Sequence, residues 1–144
     1  MPIRGIRGAN GVAENTPAAI LAATRELLLA IIEANPGLRP EDVASIFFTL
    51  TPDLNATYPA YAARQLGWVD VPLLGAQEVA VPDATPRIVR VLVHWNTDKP
   101  QQAIRHVYLG RAARLRPDLA REGRSAQSAR GERHSQPDFE EVDS

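Results

Sequence analysis

The sequence predicts one α/β or α+β domain on a mixed sheet. One helical stripe is long and well bounded, several short apolar stretches alternate at period two, and the pieces run β-α-β-α-β-β-β. A chain of 144 residues suits a single domain. A formal net charge of −1 supplies no bulk basic field for nucleic acid or a membrane surface. The absence of cysteine removes thiol nucleophiles, disulfides and thiolate metal sites, and three histidines with none at ligand spacing argue against structural zinc. No apolar run approaches about 18 residues, and the chain opens directly into a strand-like pattern, so a cytoplasmic protein without a leader is expected.

Residues 2–10, PIRGIRGAN, alternate Ile3, Gly5, Arg7 and Ala9 against Arg4, Ile6, Gly8 and Asn10. This reads as a strand whose glycines leave room for a ligand or another backbone. Thr16 is placed to cap a helix with Pro17 at its first position. Ile20, Leu21, Thr24, Leu27, Leu28, Ile31 and Ile32 then form one broad stripe, and Asn35-Pro36-Gly37 stops it. Residues 43–50, VASIFFTL, are a second strand, followed by turn chemistry at 51–55. Residues 58–66, YPAYAARQL, read as a short helix ended by Gly67; 71–74 are a third strand and 79–81 a further alternating piece.

Residues 86–95, PRIVRVLVHW, are the most apolar strand, with Val89, Val91, Val93 and Trp95 on one face and Ile88, Arg90, Leu92 and His94 on the other. After a polar turn at 96–100, residues 103–109 read as a strand or strand plus turn, and 110–115 as one helical turn. From Ala120 the chain has one aromatic residue, no aliphatic stripe and charges of both signs. The expected division is a domain at 1–119 and a disordered tail at 120–144. Only one long helix is available to cover the sheet. Its other face would be exposed in a monomer, which favours an oligomer with sheets or strand edges packed together.

Arg90 is the residue that the pattern does not explain. A guanidinium cannot shed its charge, and burying it unpaired costs several kcal/mol. Either a protein carboxylate such as Glu78 neutralises it, or an anionic ligand does. The chain is rich in arginine at patterned positions: Arg4, Arg7, Arg64, Arg90, Arg105, Arg114 and Arg116, with Tyr108 and Glu78 among them. Bidentate arginine suits carboxylate or phosphate, although a strand arginine is also a common structural ion-pair partner.

Other constellations carry less. Asp53, Asp98 and Glu78 have no spacing that pairs them as acid and base, and Asp53 and Asp98 fall in turns. His94 and His106 read as packed or hydrogen-bonded histidines. GIRGANG lacks the strand–glycine loop–helix arrangement of a dinucleotide site and any phosphate-loop Lys-Ser/Thr. Ser45 and Thr49 show no activating base. With no nucleophile, metal set or cofactor motif in view, an enzyme built from these residues works with charge and shape.

IRGIRGA, TPDLNATYPA, Gln77-Glu78, Arg90 in its apolar strand and above all QQAIRHVYLGRAARLRPDL resemble the monofunctional AroH-type chorismate mutases, in order from Pro2 to about Leu119. The resemblance implies a homotrimeric pseudo-α/β-barrel, with one long helix packed on a five-stranded mixed sheet per subunit and active sites at the subunit interfaces. It implies the Claisen rearrangement of chorismate, a dicarboxylate, to prephenate in aromatic amino-acid biosynthesis, with no cofactor, metal, nucleic acid or membrane. Such a reaction needs a compact substrate conformer and charge stabilisation at the breaking ether bond.

By the same resemblance Arg90 would be the central cation, Arg7 a carboxylate ligand, Tyr108 a hydrogen-bonding partner at the same end of the substrate, and Glu78 the acceptor for the ring hydroxyl. Leu74 and Gly75 would line the site. Tyr58 and Ala60 of a neighbouring subunit would form its apolar wall, with Arg64 near the mouth. Leu115 and Arg116 match the segment that closes over it. Family members often carry lysine where this chain has Tyr61, and a cysteine that could support the glutamate where it has Gly75. Two alternatives share the anion chemistry: a Rid-type imine deaminase, and a non-catalytic trimer that binds a carboxylate metabolite.

Overall fold

The strands are β1 (Ile3–Gly11), β2 (Val43–Leu50), β3 (Leu73–Gln77), β4 (Ile88–Asn96) and β5 (Val107–Tyr108), and the helices are α1 (Pro17–Ala34) and α2 (Ala60–Gln65). This computed structural model describes residues 1–115. The strands form one sheet in the order β3-β2-β4-β1-β5. β4 is central and antiparallel to β1 and β2, while β3 runs parallel to β2 and β5 parallel to β1. The mixed sheet expected from the sequence is therefore present. Arg116 and the tail expected at 120–144 lie outside the described residues. Among the described residues no helix is long and apolar enough to cross a membrane.

α1 forms where its signals stand. Thr16 Oγ1 accepts from the Ala19 N–H at 3.1 Å and Pro17 occupies the first turn. Asn35 closes the other end, its Nδ2 donating to the carbonyls of Ile31 at 2.9 Å and Arg105 at 3.0 Å, and its Oδ1 accepting from the Arg105 N–H at 2.9 Å. Leu27, Leu28 and Ile31 press onto Ile6, Ile46, Phe48, Val91, Val93 and Trp95 to form the core. Leu21 and Ile32 stand at the margin of the buried stripe, half-exposed. The first α2 residue follows Pro59 as N-cap, and Gly67, with φ +94°, turns the chain out of the helix as expected.

The structure refines or departs from the sequence reading at several points, β3 among them, which runs over Leu73–Gln77 rather than 71–74 because its parallel pairing with β2 extends to Leu50–Gln77. Of the two occupants expected beside the glycines, Gly8 admits another backbone and not a ligand: a Cβ there would stand 3.2 Å from the Val107 carbonyl oxygen, with Ile31 Cδ1 at 2.9 Å and Leu27 Cδ1 at 3.1 Å pressing in from α1. Residues 79–81 do not join the sheet, because the chain turns away after Glu78. The strand expected over 103–109 is reduced to Val107–Tyr108. Ahead of it, side chains substitute for the backbone ladder. Gln101 accepts from the Gly5 N–H at 3.1 Å and donates to the Gly5 carbonyl at 2.8 Å, and His106 Nδ1 accepts from the Arg7 N–H at 3.0 Å. The edge of β1 is thus satisfied without a neighbouring strand.

The sheet has two unlike faces. Val89, Val91, Val93 and Trp95 point under α1, as the alternation requires. The opposite face carries Arg7, Arg90, Leu92, His94, Ser45, Phe47, Thr49 and Leu74, which the register brings together. Among the described residues no α-helix lies over this face, where Phe47 is 45% exposed and Leu74 61% exposed.

Candidate active site

The face opposite α1 is built rung by rung. Ala9 on β1 pairs with Arg90 on β4, Arg90 with Thr49 on β2, and Thr49 with Ala76 on β3; Tyr108 on β5 completes the rung beside Ala9. On the next rung lie Arg7, Leu92, Phe47 and Leu74. Two guanidinium side chains, a phenol and an apolar border thus share one face because strand alternation puts every second residue there.

Glu78 closes the arrangement. Its backbone N–H donates to the Leu50 carbonyl at 2.7 Å, the last link of that segment to the sheet. Its Oε1 accepts from Thr49 Oγ1 at 2.6 Å and lies 3.5 Å from Arg90 Nε. The side chains of Arg90 and Glu78 are only 19% and 18% exposed. The contact is an ion pair longer than a hydrogen bond. Partial burial couples the two charges, so removal of either would leave the other poorly solvated. Of the two explanations for Arg90, a protein carboxylate is present.

Tyr108 is 1% exposed and packs with Ala9, Ile88 and Ala112, with Leu115 against them at the end of the Gly110–Arg114 turn. Gly75, paired with Phe48, has open space where a Cβ would stand, the nearest atom being Phe48 O at 3.9 Å. α2 buries Ala62 and Ala63 in the helical layer. Tyr58, Ala60 and Arg64 therefore belong to the side of the sheet away from Arg90. Tyr58 meets Tyr61 edge to face at 5.5 Å, and the Arg64 guanidinium lies 5.7 Å from the Tyr61 ring centre. The structure thus gathers Arg90, Glu78, Arg7, Tyr108 and Leu74 on one face, and leaves the α2 group outside it in the single subunit.

The sequence reading considered Ser45 and Thr49 only as nucleophiles without an activating base, and so missed what each of them meets. Ser45 Oγ and His94 Nδ1 share a hydrogen bond of 3.0 Å, with Phe47 edge-on to the His94 ring at 5.8 Å. The alternation of β2 puts Ser45 and Thr49 on one face, but only the register with β4 says which groups they meet. Asp53 is structural: it accepts from Thr51 Oγ1 at 2.6 Å and from the Arg87 N–H at 3.1 Å. Among the described residues, no three His, Asp or Glu side chains stand together as metal ligands.

A largely buried cation thus stands beside one carboxylate, on a face that carries a second cation. The family model described as chorismate mutase type I matches residues 3–119. The chain is 58% identical over 117 residues to the chorismate mutase AroH of Thermus thermophilus, covering 81% of this chain and 96% of that protein. It is 47% identical over 121 residues to the chorismate mutase AroH of Bacillus subtilis (strain 168), covering 83% and 94%. The solved chorismate mutase from Clostridium thermocellum superposes with a TM-score of 0.73 at 45% identity, covering 75% of this chain and 96% of that one. The chain belongs to the type I chorismate mutase family.

Proposed function

We propose that this protein rearranges chorismate to prephenate, as a cytoplasmic homotrimer whose sites lie at the subunit interfaces. It is an isomerase of the chorismate mutase class. The observation that carries the residue assignments is the Arg90–Glu78 pair, four-fifths buried on a face that also holds Arg7.

In the reaction the ether C–O bond breaks while a C–C bond forms between the enolpyruvyl methylene and the ring. No proton moves and no covalent intermediate with the protein is needed. Negative charge collects on the ether oxygen, and Arg90 donates to it. That hydrogen bond is stronger in the transition state than in bound substrate, so it raises the rate and not only the affinity. Arg7 and Tyr108 hold a substrate carboxylate and keep the chain folded over the ring. Glu78 accepts from the ring hydroxyl and offsets positive charge on the ring carbons.

Leu74 and Gly75 line the cavity, Tyr58 and Ala60 of a neighbouring subunit wall it, and Arg64 stands at its mouth. Leu115, packed against the Tyr108 cluster, belongs to the segment assigned to close over the site, and Arg116 is assigned to the substrate by the family resemblance alone. The face with the exposed Phe47 and Leu74 supports assembly, since a second subunit would cover both the apolar border and the charged rung. The test is to follow loss of chorismate and appearance of prephenate with purified protein. Hydrolysis of an imine substrate, or binding of chorismate without turnover, would replace this reading.

A further inference from the structure

We propose that Thr49 is a positioning residue for this reaction, acting through Glu78; the inference rests on the chorismate mutase reading. Thr49 pairs with Arg90 across the β2–β4 ladder, and its hydroxyl reaches Glu78 Oε1 at 2.6 Å. The same oxygen lies 3.5 Å from Arg90 Nε. A glutamate on three rotatable bonds beside a poorly hydrated guanidinium would otherwise close onto it. Guanidinium and carboxylate reach about 2.7–2.9 Å when they bond fully.

The Thr49 hydroxyl holds the carboxylate short of that collapse. It commits Oε1 to the protein and directs Oε2 toward a ligand. The Leu50 carbonyl fixes the Glu78 backbone at 2.7 Å, but that bond leaves the side-chain torsions to be set by what the carboxylate meets. The strand itself does not need the hydroxyl. Valine has the same β-branched shape and suits a sheet as well, and the neighbours Ile46, Phe47, Phe48 and Leu50 are all apolar.

The experiment is a double-mutant cycle on chorismate turnover, with Thr49→Val, Thr49→Ser and Thr49→Ala made in the unaltered chain and in Glu78→Ala. Thr49→Val should lower kcat about tenfold, the scale of one hydrogen bond to a charged group, with a smaller change in KM. Thr49→Ser should recover most of that loss. In the Glu78→Ala background Thr49→Val should change kcat by less than about twofold, because the residue through which it acts is gone. Equal losses in both backgrounds, or no loss in the unaltered chain, would overturn the inference alone. If Thr49→Val does not fold, Thr49→Ala against Thr49→Ser decides the same question. Absence of turnover in the unaltered protein would overturn the functional reading and this inference with it.

Discussion

Arg90 is tolerated in an apolar strand because it is neither fully buried nor alone: about a fifth of its side chain is exposed, and Glu78 stands 3.5 Å away. If it stabilises the breaking ether bond, Arg90→Ala should lower kcat by at least about 10²–10³-fold in a steady-state assay. Arg90→Lys should recover little, since an ammonium lacks the planar fork. Near-normal turnover in either variant would remove Arg90 from the centre of the mechanism. At position 75 the open space predicts the reverse. Gly75→Ala should keep the thermal midpoint, with a stability change within about 0.5 kcal/mol, and a melting curve checks it. Arg90 was legible in the sequence as a charge that its pattern could not explain. Thr49 was not, because a threonine in a strand is unremarkable until the facing residue is known.

Among the elements, α1 was legible from cap to cap, since its signals are local: Thr16, Pro17, the apolar stripe and Asn35. β5 was not, because its length is decided by what lies beside β1. Gln101 and His106 already satisfy that edge, so the backbone pairs only at Val107 and Tyr108. Gly8 shows how closely α1 and β1 are packed. Gly8→Ala should destabilise the fold by about 1–3 kcal/mol through overpacking, read as a lower denaturant midpoint. The turn before β4 has its own fastening. Arg87 adopts φ +49°, an uncommon conformation for a side-chain-bearing residue, and Asp53 accepts its N–H while also holding Thr51. Asp53→Ala should cost about 1.5–3 kcal/mol of stability by the same measurement. Unchanged unfolding would show that the turn holds itself.

At the scale of the whole molecule, among the described residues a single helical layer covers one face of the sheet, and the other carries the exposed Phe47 and Leu74. The count of helices in the sequence foretold that imbalance. The strand order could not be read, because it depends on pairings between distant segments. We expect light scattering to give three times the subunit mass. Phe47→Asp, which sets a charge on the face opposite α1, should shift the protein to monomers and abolish turnover together. A fully active monomer would contradict a shared site.

The position of β4 also bears on how the protein is made. In the order β3-β2-β4-β1-β5, β1 and β2 do not pair with each other; β4, translated after both, lies between them. A nascent chain that ends before Ile88 therefore carries the sheet's flanks without its middle. α1 can form early from local signals, but the sheet must close over long sequence separations, and such closure is slow. During that interval the apolar strand VASIFFTL has no β4 partner, so the hazard of aggregation begins during synthesis and lasts until β4 is seated. Substitutions that weaken β4 should accordingly lower soluble yield more than they lower the stability of the protein that does fold, a difference that pulse-labelled expression would measure.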